Sequence, residues 1–151
     1  MRGCGENKEI SEWQSRFAWL DPSEIGIKDD ELKWERISQD VARESFIALE
    51  KMRPFLDNTN LFDEKNRGIC REMLARLNDE SGKRRFTSQD LGFFDLYFGE
   101  KRIKVSRDEK GWDVDHGHHR LWLARRDGIK ELPVLLNEKV NKENTMSNFE
   151  L

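Results

Sequence analysis

Trp112-Asp-Val-Asp-His-Gly-His-His-Arg-Leu-Trp-Leu-Ala-Arg-Arg-Asp-Gly-Ile-Lys-Glu-Leu-Pro-Val-Leu-Leu136 decides the fold. Trp112 and Val114 alternate with Asp113 and Asp115, the period-2 pattern of a half-buried strand, and Gly117 permits the sharp reversal that must follow. Leu121, Leu123 and Ala124 then recur at helical spacing. Arg125 and Arg126 fall late in that helix, where cations suit the negative end of its dipole. Gly128 stops it, and Leu132-Pro-Val-Leu-Leu136 fits a buried strand with Pro133 near its start, where a missing N–H is tolerated. The order is strand, turn, helix, strand. A polar turn that opens a helix gathers free backbone N–H groups, the positive helix end and Arg120 at one spot, which is a ready anion site.

In its order and spacing this stretch resembles the C-terminal half of the ParB/sulfiredoxin-like domain, from about Ile103 to Leu136. There a Gly-x-x-Arg turn opens a helix rich in Ala and basic residues, followed by Gly and an Ile/Leu-Pro-Val strand. The resemblance implies an α+β fold with a small mixed sheet and a turn that holds nucleotide phosphates. Carried over, Gly117, His118, His119 and Arg120 are the nucleotide-binding residues, and ATP or CTP with Mg2+ or Mn2+ is the expected ligand. Sulfiredoxins place a reactive Cys where this chain has His118, so their sulfur chemistry has no nucleophile here. Chromosome-partitioning members carry an upstream arginine box and a following helix-turn-helix, and neither is found. The remaining branches include free-serine kinases, small nucleases and plasmid-borne fertility-inhibition proteins with ATPase and DNase activities.

Length and composition bound the rest. The 151 residues suit one domain with a real core, and 38% charged residues with a mean hydropathy of −0.89 describe a soluble chain. No apolar run is long enough for a membrane span, and Met1–Lys8 lacks the apolar core of a signal peptide, so the expectation is a cytoplasmic protein. Cys4 and Cys70 are too few for a disulfide framework. A net charge of −3 argues against a protein that coats nucleic acid non-specifically. Local DNA contacts remain open through Lys83-Arg-Arg85, Lys101-Arg102, Lys104 and the arginines after Gly117.

Residues 1–10 are expected to be flexible, 11–136 to form the single domain, and 137–151 to be a polar tail. Within the domain, a helical portion from Ser11 to Asn78 should pack on the sheet. Trp13, Phe17 and Leu20 would share one face of a short helix capped by Ser11. Trp34, Ile37, Val41, Ser45, Ala48 and Met52 keep a helical period that Arg53-Pro54 stops. A further helix runs from an N-cap at Asp63 through Ile69, Met73, Leu74 and Leu77. Thr87-Ser-Gln-Asp90 has the spacing of a cap, and the aromatic run Leu91–Phe98 suits a buried helix or a strand. Lys101–Val105 alternates, and a polar loop over Ser106–Gly111 would close a hairpin with the Trp112 strand.

Three chemistries could use the central turn. In the first, backbone N–H groups and the planar Arg120 fork hold phosphate oxygens while His118 or His119 moves a proton during phosphoester hydrolysis, as an NTPase or a nuclease. In the second, His116, His118 and His119, the chain's three histidines, flanked by Asp113 and Asp115, suggest a metal site, in which a catalytic Mg2+ or Mn2+ is shared by Asp115 and a substrate phosphate; Asp115 is thus the metal ligand and a further catalytic candidate. Glu100 is a weaker candidate for the base. In the third, the histidines cap the helix and Arg120 pairs with an acid. A non-catalytic protein-interaction factor, such as an inhibitor or immunity-type protein from a plasmid or phage, is the alternative function.

Overall fold

The computed structural model describes residues 11–26, 39–56 and 60–141. Four strands, β1 (Ser11–Leu20), β2 (Lys104–Asp108), β3 (Gly111–His116) and β4 (Leu132–Asn141), form one mixed sheet in the order β1-β4-β2-β3. Among the described residues there are four α-helices: α1 (Gln39–Met52), α2 (Glu64–Arg76), α3 (Ser88–Phe98) and α4 (His118–Arg126). The α+β class with a small mixed sheet is as expected. No described helix is long and apolar enough to cross a membrane.

The central strand is β4. It pairs antiparallel with β1 along all ten residues, from Ser11 opposite Asn141 to Leu20 opposite Leu132, and parallel with β2, where Val105 faces Leu136. Every residue from Leu132 to Leu136 is buried, the signature of a strand covered on both sides. The parallel β2–β4 pairing requires a crossover, and β3 with α4 supplies it.

Two expectations are corrected here. Ser11–Leu20 is a strand and not a helix, because Trp13, Phe17 and Trp19 favour a pleated surface and β4 offers a full-length partner. Tertiary pairing overrides the helical spacing of its aromatics. For the same reason the polar tail does not begin at Asn137. β4 continues to Asn141, and Glu138 is held between Arg16, at 3.3 Å, and Arg107. The expected flexible N-terminus (1–10), the end of the polar tail (142–151) and the helical positions Trp34 and Ile37 lie outside the described residues.

The remaining elements follow their local chemistry. Asp63 caps α2 through Lys65 N–H at 2.8 Å. The α2 stripe is nevertheless only partly core: Cys70 and Leu74 are buried, whereas Ile69 and Met73 are 59% and 40% exposed. Likewise α1 buries Ala42, Ser45, Phe46, Ala48, Leu49 and Met52 and turns Val41 outward. The aromatic run is a helix, α3, with Tyr97 and Phe98 fully buried and Phe17 edge-on to Phe98 at 5.2 Å. The hairpin turn is tighter than expected, because Asp108 accepts from Lys110 N–H at 2.8 Å and Gly111 takes a φ of 123°.

A capping box fixes the start of α3. Thr87 N–H donates to the Asp90 carboxylate at 2.9 Å, Asp90 N–H donates back to the Thr87 hydroxyl at 3.1 Å, and Lys51 at the end of α1 reaches the same carboxylate at 2.8 Å. Burial raises the Asp90 pKa, but the Lys51 and Thr87 contacts outweigh it and hold the group below its usual range. A depressed carboxylate stabilises the fold above its unfolded pKa of about 3.9, and that stability is lost as pH falls through the lower folded value. Asp90→Asn should therefore cost about 1–2 kcal/mol at neutral pH. Melting temperature against pH should show the wild type converging on the variant below about pH 4, whereas parallel curves would contradict the assignment.

Candidate functional site

β3 leads into the central turn through an irregularity. Val105 faces Val114 and Lys104 faces His116, so Asp115 is the extra residue on β3. Such a bulge re-aims the side chains around it. His116 Nδ1 lies 3.0 Å from the Arg102 carbonyl, so that nitrogen carries the proton and donates. Asp115 accepts from the Ser106 hydroxyl at 2.5 Å across the hairpin.

Gly117 then adopts the left-handed conformation, φ 87° and ψ 24°. A Cβ there would lie 2.7 Å from Ile103 Cγ1 and 3.1 Å from Ile103 Cα, so both conformation and space demand glycine. Its carbonyl accepts the first helical bond of α4, from Leu121 N–H at 3.1 Å. It offers no side chain to cap the helix. The nine-residue α4 therefore starts without a side-chain cap at the positive end of its dipole.

That end opens onto a cavity of about 450 Å³. The turn His116–Arg120 and Lys101 line one side, and Val41, Ala42 and Ser45 of α1 with Leu96 of α3 line the other. Beneath it lies a buried polar chain. Ser45 donates to the Ala42 carbonyl at 2.5 Å, which leaves Tyr97 to donate to Ser45 at 2.8 Å. Arg120 sits over the Tyr97 ring, 5.0 Å from its centroid, and bonds the Lys101 carbonyl through Nη2. Burial raises the Tyr97 pKa against the opposing influence of Ser45 and Arg120, and burial lowers that of Arg120 against Tyr97.

The sequence-derived site residues thus separate into two groups. Gly117, His118, His119 and Arg120 all line the cavity. Arg120, however, is only 7% exposed, and it pairs with a carbonyl and a ring where an open phosphate fork or an acidic partner was expected. Its Nη1 and His118 Nε2 are buried without a hydrogen-bond partner among the described residues. Asp115 does not line the cavity. Nor, among the described residues, do any three His, Cys, Asp or Glu side chains gather to hold a metal.

Lys101, Ser45 and Tyr97 were not singled out as site residues. Ser45 did carry a signal, as the one polar member of the apolar α1 stripe, and Tyr97 is the only tyrosine in the chain. No family model, curated protein or solved structure matches this chain.

Gly117→Ala should destabilise the fold by at least about 1–2 kcal/mol, the cost of a left-handed non-glycine residue, before the Ile103 contact is counted. Urea denaturation measures this, and an unchanged midpoint would show that the turn does not require glycine.

Proposed function

We propose that the protein binds a nucleoside triphosphate, ATP or CTP, at the start of α4 and hydrolyses a phosphoester bond. One observation carries this reading: a helix N-terminus with no side-chain cap opens onto a cavity lined by Gly117, His118, His119, Arg120 and Lys101. The opening N–H groups of α4 and the Lys101 ammonium receive phosphate oxygens. The apolar wall of Val41, Ala42 and Leu96 suits the flat face of a base. Likeness of Trp112–Leu136 to the ParB/sulfiredoxin-like phosphate turn supports the same placement. Arg120 underlies the turn, with Nη2 tying it to the Lys101 carbonyl.

In the reaction, the oxygen of a water attacks phosphorus and the bond from phosphorus to the leaving oxygen breaks. His119 or His118, at the cavity wall, takes the proton from the water or gives one to the leaving oxygen. Mg2+ enters as the counter-ion of the nucleotide phosphates. The cavity's size and the chain's net charge of −3 favour a mononucleotide over duplex DNA as substrate. The reading as a non-catalytic protein-interaction factor draws on the exposed Ile69 and Met73 of α2.

Calorimetry with ATP and CTP, with and without Mg2+, tests the proposal alongside phosphate-release assays. Lys101 is exposed, so Lys101→Ala leaves the core intact and should weaken binding by about tenfold. His119→Ala should reduce turnover by about 10²-fold with less effect on binding. Unchanged binding and turnover in Lys101→Ala, His119→Ala and a folded Arg120→Ala variant would refute the reading. Absence of binding to either nucleotide would favour the interaction factor.

A further inference from the structure

β1 is an edge strand. Among the described residues it pairs with β4 alone, and its other side presents a row of main-chain N–H and C=O groups. Protein edges of this length are usually blunted by proline, by charged side chains and above all lysine, by a bulge or an inward charge, or by a covering helix or loop. β1 has no proline and no lysine, and its register against β4 runs without a shift over ten residues. Trp13, Gln14, Ser15 and Arg16 are all exposed, Trp13 to 49%.

The sequence of this edge is self-complementary about Gln14. When two copies run antiparallel with Gln14 opposite Gln14, Glu12 of each falls opposite Arg16 of the other. Trp13 falls opposite Ser15. Glu12 and Arg16 share one face of the strand by its period of two, and Trp13 and Ser15 share the other. The two Trp13 rings are then diagonal neighbours across the dyad, within the reach that aromatic cross-strand pairs use. The arrangement covers the exposed indole of Trp13, and Arg16, which bonds Glu138 of its own chain at 3.3 Å, gains the second copy's Glu12 as a further carboxylate across the dyad.

We propose that a second copy of this chain docks on β1, forming a two-fold dimer whose sheets join through the antiparallel pairing of Glu12–Arg16. The interface is isologous, as two-fold dimers require. Two Glu12–Arg16 pairs set its register and make it sensitive to salt. It lies apart from the α4 cavity and does not depend on the nucleotide reading.

Sedimentation equilibrium of the full chain tests the proposal by charge exchange. The wild type should approach twice the chain mass as concentration rises. Glu12→Arg alone sets like charges opposite each other on both sides of the dyad, and so does Arg16→Glu, and each should raise the dissociation constant at least about tenfold. An equimolar mixture of the two variants pairs opposite charges again and should recover the dimer, which also shows that both variants are folded. A wild type that stays monomeric would overturn the proposal. So would a dimer that persists equally in both single variants, or a mixture that remains monomeric while both variants keep the wild-type circular dichroism spectrum.

Discussion

The pairing of β4 on both of its sides governs this structure. Leu132–Leu136 is buried throughout, and the main-chain groups of a buried strand must be bonded on either side or cost the stability of each unmade bond. β1 answers on one side with an antiparallel ladder and β2 on the other with a parallel one. The parallel ladder in turn forces a crossover, so the chain must leave β3 and travel back along the sheet. Gly117 is the point at which it turns, and α4 is the return path. The position of the candidate site is thus a consequence of sheet topology before any question of ligand arises.

What the sequence disclosed followed the range of the forces involved. Strand, turn, helix and strand from Trp112 to Leu136 were legible because each rests on local signals: alternation, a glycine at positive φ, helical spacing and a buried apolar run. The caps at Asp63 and Thr87 were legible for the same reason. Ser11–Leu20 was not, because Trp13, Phe17 and Leu20 satisfy a helical stripe as well as a strand, and only a partner more than a hundred residues away in sequence decides between them. The exposure of Val41, Ile69 and Met73 was equally hidden, since helical spacing marks a face without saying what covers it. Asp115 illustrates a finer limit. Its place beside the histidines in sequence suggested a shared site, but the bulge at that residue and the Ser106 bond hold its carboxylate on the hairpin.

At the site, the physical surprise is the depth of Arg120. A guanidinium that is almost fully buried must be compensated, and the Lys101 carbonyl, the Tyr97 ring and the Tyr97–Ser45 chain supply that compensation only in part. This arrangement couples α1, α3 and the central turn through one cation. It also leaves an unmet hydrogen-bonding capacity beside a helix end of positive potential. An anion whose oxygens meet the opening N–H groups of α4 would complement both.

Backbone amide NMR on the full chain, titrated with ATP and with CTP in the presence of Mg2+, addresses this central claim most directly. The amides of His118, His119, Arg120 and Leu121 should shift first and furthest, with smaller changes at Val41, Ala42 and Leu96, and inorganic phosphate should move the α4 amides alone. Shifts confined to other surfaces, or none at the start of α4, would contradict it.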